Sequence, residues 1–167
     1  SALANKTGWT YSAAFGDYNN DGWLDIILAN NQNEAQTNSV FKNTGIGKNW
    51  TKIKLTGTNS NKSAIGSVLK LTTIINGKTI TQTRKIESAS GYCSQNSLTA
   101  HFGLDNATEI TKLEVIWTSG LTEIFDNITI NSVNNILEGT GNMNVSESKK
   151  SSANIYPNPV KDILFID

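Results

Sequence analysis

The chain has 167 residues, 37% of them hydrophobic and 17% charged, with 14 Lys and Arg against 14 Asp and Glu. Balanced charge offers no footprint for nucleic acid or an anionic membrane surface, and no apolar run approaches the roughly 20 residues a membrane helix needs. Cys93 is the one cysteine, which excludes an internal disulfide and leaves the core, or a metal, to hold an exported form together.

The opening SALANKTGWTYS has neither the charged n-region nor the apolar h-region of a signal peptide, and it lacks an initiating Met. It reads as an excised or processed piece. Residues 13–30, AAFGDYNNDGWLDIILAN, crowd carboxylates between two apolar runs. With Asp17 as position 1, Asn19 is position 3, Asp21 position 5, Gly22 position 6 and Asp25 position 9. Side chains at 1, 3, 5 and 9 converge on one ion, the backbone carbonyl of Trp23 at position 7 adds an oxygen, and the glycine lets the loop turn sharply. That is the ligand logic of calcium, a hard cation taking six to eight oxygens. An EF-hand needs a bidentate Glu at position 12, where this chain has Leu28. The flanks AAF and DIILA read as strands, not helices. A metal-free Asx-rich turn is the competing reading, but three carboxylates with no nearby Lys or Arg would repel one another. Calcium is therefore the expected cofactor, with a structural role.

Beyond residue 48, period-2 patterns dominate. WTKIKLTG (50–57) sets Trp50, Lys52 and Lys54 against Ile53 and Leu55. SVLKLTTIINGKTITQTRKI (67–86) is two β-rich runs joined by Asn76-Gly77, the strongest short hairpin signal because a type I′ turn needs positive φ at both central residues. KLEVIW (112–117) places Leu113, Val115 and Trp117 on one face. TEIFDNITI (122–130) and NNILEG (134–139) add short strands. Nothing sustains a helical period. Short strands separated by Gly, Asn and Ser turns predict an all-β fold, an antiparallel β-sandwich or barrel-like domain. From 140 to 153 apolar residues almost vanish, which predicts a flexible linker. IYPNPVKDILFID then returns to an apolar texture and holds both prolines, Pro157 and Pro159.

Catalytic chemistry has little to stand on. His101 and Cys93 are single residues of their type, and a Cys–His dyad also needs an orienting group. They read as a hydrogen-bonded structural histidine and a small semi-buried cysteine. Glu87, Asp105, Glu109, Glu114 and Glu123 sit in no recognisable acid–base setting and read as solvated surface. A sugar site would draw on loop-borne aromatic and amide side chains, for which Tyr92, Gln95 and Asn96 are the candidates. Trp117 shares its face with Leu113 and Val115 and reads as core.

Three stretches carry family resemblances. FGDYNNDGWLDIILAN resembles an FG-GAP/VCBS repeat, the calcium-bearing blade unit of β-propellers, with Asn19 where Asp is common. A single repeat cannot close a propeller, so residues 1–48 are expected to be the last blade fragment of a longer one. Residues 49–139 resemble the ASPIC/UnbV domain. The resemblance rests on Asn61-Lys62, Ile65-Gly66, Gly91-Tyr92, Ser94-Gln95, His101-Phe102-Gly103-Leu104, Trp117 and Ser119-Gly120. Lys62, Ser67, Asp105 and Thr118 depart from the usual Arg, Ala, Gly and Pro. The tail 154–167, with Tyr156-Pro157-Asn158-Pro159 and Asp162, resembles the start of a truncated type IX secretion sorting domain. Together these resemblances imply a bacterial secreted or outer-membrane-surface protein. Its role would be a non-catalytic binding or adhesion module. The expected partners are a polysaccharide or surface protein, and the type IX secretion machinery through the tail. The alternative is an accessory domain of a secreted enzyme whose catalytic part lies upstream.

Overall fold

The computed structural model describes residues 9–30, 37–45 and 47–143, and two short strands at 155–156 and 165–166. The first three strands, β1 (Thr10–Gly16), β2 (Asp25–Asn30) and β3 (Ser39–Phe41), form an antiparallel sheet in that order. β1 and β2 are the two apolar runs around the carboxylates, so the acidic loop is a hairpin connection, as the sequence implies. Phe15 faces Ile26, which in turn faces Phe41.

Next come β4 (Asn49–Thr56), β5 (Val68–Ile75), β6 (Lys78–Lys85), β7 (Ala100–Asp105), β8 (Ile110–Ile116), β9 (Thr122–Phe125), β10 (Val133–Leu137) and β11 (Asn142–Met143). They make two sheets, one ordered β10-β4-β7 and one ordered β11-β9-β8-β5-β6. Alternation decides which side chains meet between them: Ile53 and Leu55 from β4, Phe102 and Leu104 from β7, Leu69 and Leu71 from β5, Leu113 and Val115 from β8. Burying each such side chain contributes about 1.5–3 kcal/mol. Trp117 lies in this core, as its face predicts.

The β5–β6 connection is the two-residue Asn76-Gly77 turn, with φ of 50° and 73°, the positive pair a type I′ turn requires. β8 carries an irregularity where Thr72 faces Lys112 and Thr73 faces Ile110. Every pairing in the two sheets is antiparallel except one: β10 runs parallel to β4, from Val133 beside Lys52 to Leu137 beside Thr56. That departs from a wholly antiparallel expectation. The chain leaves β9 in one sheet and crosses the end of the sandwich before entering β10 in the other, so no hairpin constrains its direction. Residues 126–130, read as part of a strand, form that crossing instead.

Asn142 and Met143, expected in the linker, pair with Ile124 and Glu123 as β11. The rest of the expected linker, residues 144–153, lies outside the described residues. In the tail, β12 (Ile155–Tyr156) pairs antiparallel with β13 (Phe165–Ile166). The Pro157-Asn158-Pro159 segment and Asp162 lie outside the described residues.

Candidate functional site

The acidic loop connects β1 to β2 and folds around its own carboxylates. Asp17 Oδ1 accepts the Asp21 N–H at 3.0 Å and Oδ2 the Gly22 N–H at 2.8 Å. Asn19 Oδ1 accepts the Asp21 N–H at 3.3 Å, while its amide donates to Asp21 Oδ2 at 2.7 Å. The Trp23 N–H donates to Asp21 Oδ1 at 3.1 Å. Asp25, fully buried, accepts the Tyr18 N–H at 3.2 Å and the Asn43 N–H at 2.8 Å, so it ties the loop to the segment after β3. The Trp23 N–H, and after it the Asn19 amide, hold the Asp21 carboxyl below its ordinary range.

The loop is also clasped by the sandwich. Lys52 Nζ donates to Asp17 Oδ2 at 2.6 Å, and both side chains are almost wholly buried, 7% and 3% exposed. Lys42 lies 3.7 Å from Asp21 Oδ2. The reading that no cation stands near these carboxylates is thus corrected. Lys42 is distant in sequence but delivered by the end of β3, and Lys52 is delivered by β4. His101 Nε2 lies 2.8 Å from the Gly22 carbonyl. A carbonyl only accepts, so Nε2 carries the proton. Burial pushes His101 below its ordinary value, only partly offset by that hydrogen bond. Gly22 has φ +95°, and a Cβ there would overlap the Trp50 ring. Glycine is therefore demanded twice, by the turn and by the tryptophan laid against it.

Among the described residues, no group of three or more His, Cys, Asp or Glu side chains stands in metal-holding geometry. The donor set is nevertheless hard oxygen throughout: Asp17, Asn19, Asp21, Asp25 and the Trp23 carbonyl. Asp17 Oδ1, Asp21 Oδ1 and both Asp25 oxygens each accept one backbone N–H and keep a second lone pair, whereas Asp17 Oδ2 already accepts from both Gly22 and Lys52. That chemistry fits calcium, and the ion would share Asp17 with the Lys52 ammonium.

The sugar candidates part company. Tyr92 is 76% exposed at the tip of a tight turn closed by a Gly91–Ser94 bridge. Gln95 is exposed beside it. Asn96, also exposed, instead turns toward β1, its Oδ1 accepting the Phe15 N–H at 2.9 Å, and the Ser97 N–H donates to the Phe15 carbonyl at 3.1 Å. The 90s loop thus binds the free edge of β1. Cys93, expected to be semi-buried, is exposed, with φ of 52° in the same turn. The turn leaves it no packing surface.

Two buried carboxylates depart from the sequence reading. Glu123, read as solvated surface, is 1% exposed and accepts the Gly139 and Gly141 N–H groups at 2.9 and 2.7 Å, because β9 turns it toward the Gly139–Gly141 backbone. The second had no reading in the sequence. Glu138, at the end of β10, accepts three successive backbone N–H groups, Thr58 at 2.7 Å, Asn59 at 2.8 Å and Ser60 at 2.7 Å, together with the hydroxyls of Ser60 and Ser119. Burial opposes its ionisation. The Ser119 hydroxyl, the Ser60 and Thr58 amides and the Ser60 hydroxyl outweigh that and hold its pKa at about 2 against an ordinary 4.5. The site is an anion nest filled from within the chain. A Glu-Gly pair closing an apolar strand was the only hint of it.

Residues 57–143 match the family described as ASPIC and UnbV, and residues 9–41 match the FG-GAP repeat. Similar curated proteins are cartilage acidic protein 1 of Homo sapiens, 33% identical over 123 residues, and of Xenopus tropicalis, 34% identical over 124. The mouse protein is 32% identical over 123 residues. In each case the match covers 73% of this chain but 18% of the relative's length. Strands β5 to β11 lie within the first match, with β4 just ahead of it, and the acidic hairpin lies within the second, so the chain belongs to the ASPIC and UnbV family, with an FG-GAP repeat ahead of that domain.

Proposed function

We propose that this chain is a calcium-braced, non-catalytic binding module that works outside the cell. One observation supports the reading: the oxygen-bearing residues Asp17, Asn19, Asp21 and Asp25 lie on a strand–loop–strand hairpin clasped to the sandwich by Lys52 and His101. Calcium would brace that seam by neutralising Asp21 and Asp25 and sharing Asp17 with Lys52. Its affinity is expected on the order of 10⁻⁴ M, as for extracellular modules. The name of the relatives, which refers to cartilage, agrees with an extracellular setting. The YPNP-containing tail supports export by a bacterial type IX route, with surface attachment or release. Ligands in this reading are a polysaccharide or a surface protein. The His101 nitrogen spent on the Gly22 carbonyl favours binding over catalysis.

The test is a calcium titration of the metal-free chain followed by thermal unfolding. Calcium is expected to raise the melting temperature, and Asp21→Ala to abolish the gain. A folded sample with no response to millimolar calcium overturns the metal assignment.

A further inference from the structure

Where the hairpin meets the sandwich there is a cavity of about 370 Å³. Phe15 and Leu24 wall it on one side, Arg84 and Lys85 on the other, and the 90s loop closes one end with Asn96. Two smaller cavities, of about 330 and 230 Å³, share Thr99 with it and carry Lys54. The first of these also carries Lys62. The 230 Å³ cavity also borders the hairpin, through Asp17, Asn20 and Leu24, while the 330 Å³ one lies on the sandwich beside it, and Thr99 lines all three, so they are neighbours in one cleft region.

Charge in the cleft is uneven on a chain whose net charge is zero. Among the described residues, Arg84, Lys85, Lys54 and Lys62 form no ion pair. Of the carboxylates lining the cleft, Asp17 is neutralised by Lys52, which leaves Glu87. Arg84 is held ready. Its Nε donates to the His101 carbonyl at 3.1 Å, Nη1 to the Thr83 carbonyl at 2.9 Å and Nη2 to Gln82 at 3.3 Å. Its guanidinium lies 5.2 Å from the Phe102 ring centroid. Two of its five N–H groups are left for a ligand. Asn96 spends its oxygen on Phe15 and keeps its amide hydrogens. Phe15, 44% exposed, offers an apolar wall.

The geometry points to an acidic saccharide as the occupant, a glycan carrying carboxylate or sulfate groups. A fixed guanidinium and three lysines match the anions. Amide and hydroxyl groups match sugar hydroxyls, and the Phe15 face suits the C–H side of a pyranose ring. The volume is at the small-ligand end of binding sites, roughly 300–1,000 Å³. An acidic peptide added as a strand is disfavoured, because the outward carbonyls of β7 at His101 and Gly103 already accept from Arg84 and Gln82. This site adds a ligand to the module proposed above and does not require calcium in the loop.

The full chain is titrated calorimetrically at low salt, in calcium and in chelator, with oligogalacturonate, sulfated dextran oligosaccharide, neutral dextran and oligoglutamate. Saturable binding of oligogalacturonate or sulfated dextran is expected, and whichever binds names the anion. Neutral dextran and oligoglutamate are expected not to bind. Arg84→Gln with Lys85→Gln should weaken binding by about tenfold or more, while Lys78→Gln at the far end of β6 should leave it unchanged. Lys54→Gln with Lys85→Gln, neither of which holds the fold, guards against loss through misfolding. No binding by either acidic glycan, equal binding by these variants, or equal binding of oligoglutamate overturns the proposal. Binding that persists in chelator while calcium fails to stabilise the chain separates this site from the metal reading.

Discussion

Lys52 stands on the polar side of β4, where alternation alone would give it to solvent, yet the hairpin buries it against Asp17. A buried pair is strongly destabilising to break from one side, by about 3–5 kcal/mol, while an apolar replacement of both partners is often nearly neutral. Asp17→Ala is therefore expected to lose several kcal/mol in urea unfolding, and adding Lys52→Met to cost clearly less than the sum of the two single losses, although the Asp21 and Gly22 N–H groups still lose Asp17 as acceptor. Additive losses would show that the two do not act as a pair. Because the ammonium competes for Asp17, Lys52→Met alone should enlarge the calcium-induced rise in melting temperature. Gly22→Ala combines a disfavoured φ, about 1–3 kcal/mol, with displacement of Trp50. Its signature is a tryptophan emission shift toward that of exposed indole. Glu138 has a folded pKa of about 2 against an ordinary 4.5. Its contribution is therefore complete above pH 4.5 and is lost as the pH falls toward 2. Glu138→Gln should lower stability at neutral pH by about 2 kcal/mol or more and flatten the acid limb of the stability curve. An unchanged acid limb would remove Glu138 from that role.

At the scale of elements, local chemistry and long-range pairing divide the outcome. The Asn76-Gly77 turn is legible because its backbone demand is met by two adjacent residues. Gly77→Val, forcing a β-branched residue to φ near 73°, is expected to cost about 1–3 kcal/mol in urea unfolding without changing the sheet order. The β1–β2 hairpin is legible for the same reason: apolar runs flank a loop whose carboxylate and amide spacing is written within nine residues. β10 is the opposite case. Its apolar alternation shows that it is a strand, but its parallel place beside β4 depends on a partner some 80 residues away. The hydrogen bonds that hold it there, Asn131 N–H to the Trp50 carbonyl at 2.7 Å and Glu138 N–H to the Thr56 carbonyl at 3.0 Å, have no local signature. The 90s loop shows a further limit. Its Gly, Ser and Asn content predicts a turn correctly, but whether Asn96 faces solvent or the edge of β1 is decided by β1.

For the whole molecule, stability is expected to be uneven. The core cluster is drawn from β4, β5, β7 and β8 and from connecting segments, Ile128 between β9 and β10 included, and no residue of the hairpin sheet belongs to it. Native-state hydrogen exchange of the full chain should therefore show β4, β5, β7 and β8 amides as the most protected. β1–β3 should open together at a lower free energy, and calcium should raise protection there alone. Uniform protection across both parts would mean that the seam is as cooperative as the core. The amino-acid sequence by itself determined the all-β class, the core faces, the hairpin turn and the calcium-like spacing of the loop, because each follows from residues within a few positions of one another. Only the tertiary structure decided that Lys52, Trp50 and His101 close over that loop, that Glu138 fills a nest of backbone amides, and that unpaired cations gather along the seam. Those outcomes depend on which strands come side by side. That choice is made by burial summed over the whole sandwich, which no local stretch encodes.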